Sequence, residues 1–126
     1  MLNLLRVCGL AICVLLIASQ ARAAAPSNAA PSDTESFIAY CTDANFESCR
    51  SEVMDIANIN LMKQIGGTYS CTFPQSDDRS KRAADRITAT KAILAWLKAN
   101  PTKRMPKTDD AINQAMAALW PSECQK

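Results

Sequence analysis

The cysteines limit what this chain can fold into more than any other feature. Six occur in 126 residues, and two of them, Cys8 and Cys13, lie in an apolar amino-terminal stretch that resembles a leader. The other four are spread over the rest of the chain: Cys41, Cys49, Cys71 and Cys124. An even number of cysteines in a small exported domain predicts two disulfides. No two of the four form a CxxC-type pair, so we expect no metal site.

The amino-terminal stretch has the three parts of a secretory signal peptide. Residues 1–6 carry one positive charge, residues 7–17 are an unbroken apolar run, and Ala21-Arg22-Ala23 is an A-x-A cleavage site. We therefore predict a secretory signal peptide over residues 1–23, cleaved near Ala23, and export of the remaining chain. The apolar run is shorter than the roughly 20 residues that span a bilayer, so we expect no membrane attachment after cleavage; a retained anchor is the alternative.

Cleavage makes the remaining chain electrically neutral. It removes Arg6 and Arg22, which lowers the basic residues from 14 to 12, and the chain has 12 acidic residues. A neutral domain gives no support for nucleic acid as a partner. The charges are unevenly distributed, because residues 24–78 hold eight acidic and two basic residues whereas residues 79–126 hold four acidic and ten basic ones. This distribution predicts an acidic and a basic side.

The residue pattern predicts an all-α fold, a small four-helix domain stapled by disulfides. Residues 24–31 form a flexible lead, and the helical domain occupies residues 32–126. Apolar residues at three- and four-residue spacing, with capping and stop signals, place the helices near residues 33–42, 45–64, 79–100 and 108–120. The capping signals are a Ser32/Glu35 capping box and Thr108 as an N-cap. In the third helix, the inward stripe is expected at Ala83, Ile87, Thr90, Leu94 and Leu97.

The sequence contains no histidine, which excludes the catalytic sites that depend on imidazole. These are the Ser-His-Asp triad, the Cys-His dyad and histidine-containing zinc sites. Two carboxylate pairs remain, Asp77–Asp78 and Asp109–Asp110, and both lie where helix N-termini are expected. That position accounts for them, because the helix dipole favours negative charge there. We therefore predict no catalytic residues and no enzyme.

The loop over residues 66–78 is the better candidate for a binding surface. Binding residues concentrate on loops held by a rigid scaffold. Tyr69 and Phe73 are residue types that contribute strongly when buried in a partner's pocket, and Asp77 and Asp78 stand at the end of the same loop. The alternative is that Tyr69 and Phe73 cover the domain's own core.

A second candidate surface is a basic face at the start of the third helix. Arg79, Arg82 and Arg86 are three and four residues apart, so they lie on one side of the helix. They would contact an acidic partner. The alternative is a solvated face in which Asp78 pairs with Arg82 and Lys81 pairs with Asp85.

The ordered cysteines and their neighbours resemble one known family. The matching segments are Phe37 to Cys41, Phe46 to Cys49, Cys71-Thr72-Phe73-Pro74, Ile93 to Pro101, and Ala111 to Trp120-Pro121. Together they resemble the Rap/Tai family, the periplasmic helical immunity proteins against type VI secretion amidase effectors. The resemblance covers Ser32 to Cys124.

The resemblance implies that the chain is an inhibitor. Members of that family are dimers that bind a peptidoglycan amidase toxin, a cysteine peptidase of the cell-wall peptide, and block its cleft. The expected partners are therefore such an effector and a second copy of the chain, and the expected location is the periplasm. The mechanism is steric and needs no cofactor. The alternatives are a small periplasmic acid-stress chaperone and another exported helical binding protein.

Four cysteines allow three pairings, and the sequence alone does not choose among them. Cys41 and Cys49 flank one tight helical junction. Of the three possibilities, we favour Cys41–Cys124 with Cys49–Cys71.

Overall fold

The computed structural model describes residues 29–125 and confirms an all-α domain. The predicted signal peptide, residues 1–23, and residues 24–28 of the predicted lead lie outside the described residues. The helices are α1 (Thr34–Tyr40), α2 (Phe46–Ile65), α3 (Arg79–Ala99) and α4 (Thr108–Leu119), with 3-10 turns at Asp43–Asn45 and Pro121–Glu123. Two two-residue strands, β1 (Ser70–Cys71) and β2 (Cys124–Gln125), pair antiparallel. Within residues 29–125, none of the helices combines the length and apolar content needed to cross a membrane.

The hydrophobic core lies where the four helices meet. α3 packs against α4, α2 packs against both, and α1 contacts α3 and α4. The largest fully buried apolar side chains come from all four helices and from the segment after β1: Phe37, Val53, Phe73, Ile93, Leu97, Ile112 and Met116. Both disulfides border this core. Two disulfides indicate folding in an oxidising environment.

The start of α1 differs from the predicted capping box. Asp33, not Ser32, is the N-cap, and its carboxylate accepts a hydrogen bond from the Ser36 backbone N–H at 2.9 Å. This hydrogen bond lowers the pKa of Asp33 below its ordinary value, because it stabilises the ionised carboxylate. Glu35 instead pairs with Arg104 of the α3–α4 loop.

A four-hydrogen-bond strap joins the starts of α1 and α4. Thr34 donates from its backbone N–H to the Pro106 carbonyl and from Oγ1 to the Met105 carbonyl, at 2.9 and 2.7 Å. Thr108 donates in the same way to the Ser32 and Pro31 carbonyls, both at 2.9 Å. Thr108 is therefore the first residue of α4 rather than its N-cap, and Lys107 occupies the cap position. The chain is held in place from Pro31 onwards, the last residue of the predicted lead.

The first half of α3 does not pack inward as predicted. Ala83 and Ile87 are exposed, and the buried stripe begins only at Ala89 and continues through Thr90 and Ile93 to Leu97. α3 has 21 residues and α4 has 12, so α3 is longer by about 14 Å at 1.5 Å per residue. Its first turns therefore lack a matching surface on α4.

The disulfides join Cys41 to Cys49 and Cys71 to Cys124, so the favoured pairing was wrong. α1 ends at Tyr40 and a single 3-10 turn leads into α2, which brings the Cα atoms of Cys41 and Cys49 to 5.7 Å. Cys71 and Cys124 are opposite each other in the β1–β2 pair, with a Cα–Cα distance of 4.1 Å. The tight junction noted in the sequence thus brings Cys41 and Cys49 close enough to bond to each other, so neither cysteine bonds to one from another part of the domain.

Candidate binding surface

The loop over residues 66–78 begins with a glycine turn at the end of α2. Gly67 has a φ of +77°, a conformation that side chains with a Cβ rarely adopt. The Thr68 N–H donates to the Lys63 carbonyl at 2.8 Å and closes the helix end. The chain then reverses along α2 and enters β1.

Two side-chain amides of α2 hold the first part of this loop. Asn60 is 2% exposed, and its Nδ2 donates to the Cys71 carbonyl and, at 2.7 Å, to Oδ1 of Asn113 in α4. One turn later, the Gln64 amide donates to the carbonyls of Ser70 and Glu123 at 2.9 and 2.6 Å. With the Cys71–Cys124 disulfide, these bonds attach β1 and β2 firmly to α2.

Two side chains of α3 hold the end of the loop. Asp85 accepts a hydrogen bond from the Ser76 N–H at 2.8 Å, and Arg82 donates to the carbonyls of Ser76 and Asp77, both at 3.2 Å. Neither predicted pair, Asp78 with Arg82 or Lys81 with Asp85, is among the ion pairs within residues 29–125. The loop backbone takes their place as the partner of Arg82 and Asp85.

Asp78 is the N-cap of α3, as its position in the sequence suggested. Its carboxylate accepts hydrogen bonds from the Ser80 hydroxyl and backbone N–H at 2.7 and 2.9 Å, and it lies 3.8 Å from the Lys81 ammonium. The hydrogen bonds from Ser80 are the main reason that the pKa of Asp78 lies below its ordinary value. Asp78 is thus ionised and still exposed to a partner.

Tyr69 is the exposed aromatic residue of the loop. It is 56% exposed, and its hydroxyl lies 3.8 Å from the Cys71 sulfur. Beside it opens a cleft of about 260 Å³, lined by Asn60, Lys63, Tyr69, Ser70, Cys71, Asn113 and Ala117. The cleft exposes polar and apolar atoms in similar amounts, and Tyr69 is the one aromatic residue in its lining.

Phe73 is not part of an exposed surface, which corrects one of the predicted binding residues. It is 2% exposed and packs against Trp120, with ring centroids 6.1 Å apart and an interplanar angle of 56°. Of the two aromatic residues in the loop, Phe73 therefore covers the domain's own core and only Tyr69 is available to a partner.

The predicted basic face lies on the exposed first half of α3. Arg79 is exposed and Arg86 half-buried, and neither takes part in the ion pairs found within residues 29–125. Arg82 differs because its guanidinium already binds the loop. The candidate surface therefore comprises two groups of accessible residues: Tyr69 near the start of the loop, and Asp77, Asp78, Arg79 and Arg86 around the start of α3.

Sequence reasoning missed the polar residues that fix the loop. In the sequence, Asn60 falls at the spacing of the apolar stripe of the second helix, and no pattern connects Asn60, Gln64 or Asp85 with the loop. One signal in the sequence could have revealed this role: Asn60 is an amide at an otherwise apolar position of the helix. A buried amide needs hydrogen-bond partners, so Asn60 is expected to bind a polar group of another segment. Which partners Asn60 would find depends on the packing of α4 and β1, which the stripe does not specify.

Among the described residues, no group of three or more Cys, Asp or Glu side chains is arranged to hold a metal ion. Comparison with protein-family models, with curated proteins and with solved structures yields no match to this chain.

Proposed function

We propose that the processed chain is a periplasmic immunity-type inhibitor that binds a peptidoglycan amidase toxin and blocks its active-site cleft. The observation that carries this proposal is an exposed Tyr69 on a loop fixed at both ends. Asn60, Gln64 and a disulfide hold one end, while Arg82 and Asp85 hold the other. A loop ordered in advance loses little conformational freedom on binding, which favours tight association.

The chemistry of the surface suits a protein partner. Tyrosine is among the residues that contribute most to binding when a partner buries them, and the charged residues around the α3 start add specificity at the rim. The resemblance to the Rap/Tai family supplies the class of partner, the periplasmic location and the expectation of a dimer. Inhibition needs no reaction: the loop fills the groove, so that the peptide stem cannot enter.

A titration with an amidase effector encoded beside this chain tests the proposal. We expect tight binding and loss of peptide-stem cleavage, and we expect Tyr69→Ala to weaken binding by about 30-fold, the effect of losing a residue worth about 2 kcal/mol. Met105→Ala, which shortens an exposed side chain in the α3–α4 loop, is the control and should bind normally.

In the same titration, Phe73→Ala distinguishes a loss of core packing from a loss of contact with the amidase. Because Phe73 is buried, we expect it to lower the free energy of unfolding by about 3–5 kcal/mol. Failure of the wild-type chain to bind any amidase encoded by a neighbouring gene would reject the proposal. Normal binding by Tyr69→Ala would instead show that Tyr69 is not part of the contact surface.

The acid-stress chaperone remains a second candidate because α2 exposes large apolar side chains: Ile59, Met62 and Ile65. Chaperones of this kind act through apolar surface exposed at low pH. Light scattering of an aggregating client at low and neutral pH tests it, and protection confined to low pH would favour the chaperone.

A further inference from the structure

A small cleft opens where the end of α4 meets the side of α3. The buried stripe of α3 begins at Ala89, and Ala89 shares this cleft with Trp120, the residue that follows α4. The cleft has a volume of about 170 Å³ and is lined by Phe73, Pro74, Asp85, Thr88, Ala89 and Trp120. Typical small-molecule sites enclose roughly 300–1,000 Å³. The size of this cleft therefore suits one inserted side chain rather than a whole ligand.

An aromatic ring forms part of the wall of this cleft. Trp120 is half-buried, and its indole packs against the buried ring of Phe73, with 6.1 Å between the ring centroids. Pro74 beside it is exposed. The face of an indole carries partial negative charge, so it attracts a cation that lies over it. The wall therefore favours a cationic group that also makes apolar contact.

The cleft also contains one carboxylate, that of Asp85. This side chain is half-buried, and its Oδ2 accepts the hydrogen bond from the Ser76 N–H. Its Oδ1 takes part in no hydrogen bond or ion pair found within residues 29–125. Hydrogen bonds between a charged donor and a carboxylate oxygen are among the strongest in proteins. Asp85 therefore has an acceptor oxygen available to a cationic group in the cleft.

The bases nearest to Asp85 along α3 do not form an ion pair with it. Lys81 lies 3.8 Å from Asp78, and Arg82 donates to two carbonyls of the loop. Arg86 belongs to none of the ion pairs in the described part of the chain. The positive charges of these bases weaken the attraction of Asp85 for a further cation. Binding of a cation therefore requires the aromatic wall as well as the carboxylate.

Arginine matches this combination of groups better than the other cations that proteins bind. Its guanidinium is planar, so one face can stack on an indole while the N–H groups at the edge donate to a carboxylate. A lysine ammonium is a compact and strongly hydrated charge, which makes its transfer to an apolar wall less favourable. A quaternary ammonium has no N–H group to donate to Asp85.

We propose that this cleft binds the guanidinium group of an arginine side chain from a protein partner, stacked on Trp120 and hydrogen-bonded to Oδ1 of Asp85. Arginine is one of the residue types that contribute most to binding at protein interfaces, so a cleft of this kind is an anchor point for a partner. The site does not depend on the inhibitor proposed above, because Tyr69 is not among the residues that line it.

A nuclear magnetic resonance titration of the processed chain with N-acetylarginine methylamide tests this site. We expect the backbone amide signals of Thr88 and Ala89 to shift as the probe fills the cleft. The dissociation constant should lie in the millimolar range, because a single side chain makes few contacts. N-acetylcitrulline methylamide has a similar shape without the charge, so it is the matched control probe and should bind about tenfold more weakly.

Two substitutions test the carboxylate and the aromatic wall separately. Asp85→Asn removes the charge but keeps an oxygen for the Ser76 N–H, and it should weaken binding of the arginine probe about tenfold. Trp120→Leu removes the aromatic face and should weaken binding about fivefold. Asp77→Asn removes a charge from the loop outside the cleft, so it is the control and should bind the probe normally. Thermal melting checks the folding of each variant, and Trp120→Phe, which retains a ring beside Phe73, replaces Trp120→Leu if that variant does not fold.

Four outcomes would overturn the proposal. These are no shift at tens of millimolar probe, equal binding of the arginine and citrulline probes, unchanged binding by folded Asp85→Asn and Trp120 variants, and equal affinity for guanidinium chloride. The last result would assign the cleft to a free cation, because the aliphatic stem of the arginine would then contribute nothing. Tyr69→Ala should bind the arginine probe normally, so failure of the inhibitor proposal and failure of this site are read separately.

Discussion

Single polar residues decide how the irregular part of this domain is held. Asn60 interrupts the buried face of α2 and places its amide against the Cys71 carbonyl and the Asn113 side chain. Glu52, about two turns away along α2, stands in a different environment, since burial and neighbouring carboxylates oppose its charge. The sequence shows an amide at position 60, but it does not show the hydrogen-bond partners of that amide, because these come from α4 and β1.

Asn60→Ala should destabilise the domain by about 1–3 kcal/mol. The substitution leaves the Cys71 carbonyl and Asn113 Oδ1 without their buried donor, and an unpaired buried group costs about that much. Urea denaturation measures the change. Asn58→Ala, on the exposed side of the same helix, is the control and should stay within about 0.5 kcal/mol of wild type. Equal effects of the two variants would contradict the role given to Asn60.

Glu52→Gln should stabilise the domain at neutral pH and not at low pH. The pKa of Glu52 is raised, so the folded state holds its proton more tightly than the unfolded chain, and the favourable contribution is lost as pH rises through that pKa. The substitution removes the charge that burial and neighbouring carboxylates oppose. We expect a gain of less than about 1 kcal/mol, because solvent screens much of this charge.

Thermal melting at about pH 7 and about pH 3 checks this sign. Glu47→Gln on the same helix is the control, because Glu47 pairs with Arg50 at 2.6 Å and its loss should lower stability slightly at neutral pH. A destabilising effect of Glu52→Gln at neutral pH would show that its carboxylate is favourably placed.

At the scale of secondary-structure elements, the bounds of the helices could be predicted from local sequence signals, but the contacts between the helices could not. The sequence placed all four helices to within about two residues, because caps, glycines and a proline mark their ends. It misjudged the first half of α3, where Ala83 and Ile87 fit an inward stripe but meet no opposing helix. It also gave no sign of the strap, because the hydroxyls of Thr34 and Thr108 bond to carbonyls more than 70 residues away.

The strap between α1 and α4 should behave as one unit. Thr34→Val and Thr108→Val each remove a buried hydroxyl and leave a carbonyl with one donor fewer, at a cost of about 1–3 kcal/mol. The double variant should cost less than the two single changes together, since both residues support the same contact. Chemical denaturation of the three variants measures this coupling, and Thr88→Val on exposed α3 is the control. Full additivity would mean that the two threonines act independently.

For the whole molecule, the number of cross-links was predictable and their arrangement was not. Four cysteines outside the predicted leader implied two disulfides, but pairing requires Cα atoms within several ångströms of each other. The 3-10 turn before α2 and the β1–β2 contact provide that proximity, and both form only in the folded domain. The exposure of Tyr69 and the burial of Phe73, four residues apart, likewise depend on how the loop turns over the core.

The two disulfides should contribute unequally to stability. Cys71–Cys124 spans 53 residues and Cys41–Cys49 spans eight, so the first restricts the unfolded chain more. The loop-entropy relation gives about 4 kcal/mol for the long loop and about 2.5 kcal/mol for the short one. Paired alanine variants of each bridge, compared by urea denaturation, measure the difference. A larger loss on removing Cys41–Cys49 would mean that native-state effects outweigh chain entropy.

The unequal spans also set the order in which the bridges can form. A chain that emerges amino end first into an oxidising compartment presents Cys41 and Cys49 together while Cys124 is still to come. Once those two thiols have joined, Cys71 has a single partner left, and the three possible arrangements shrink to one. Correct oxidation would then follow from the timing of emergence, without an isomerase to reshuffle misjoined thiols.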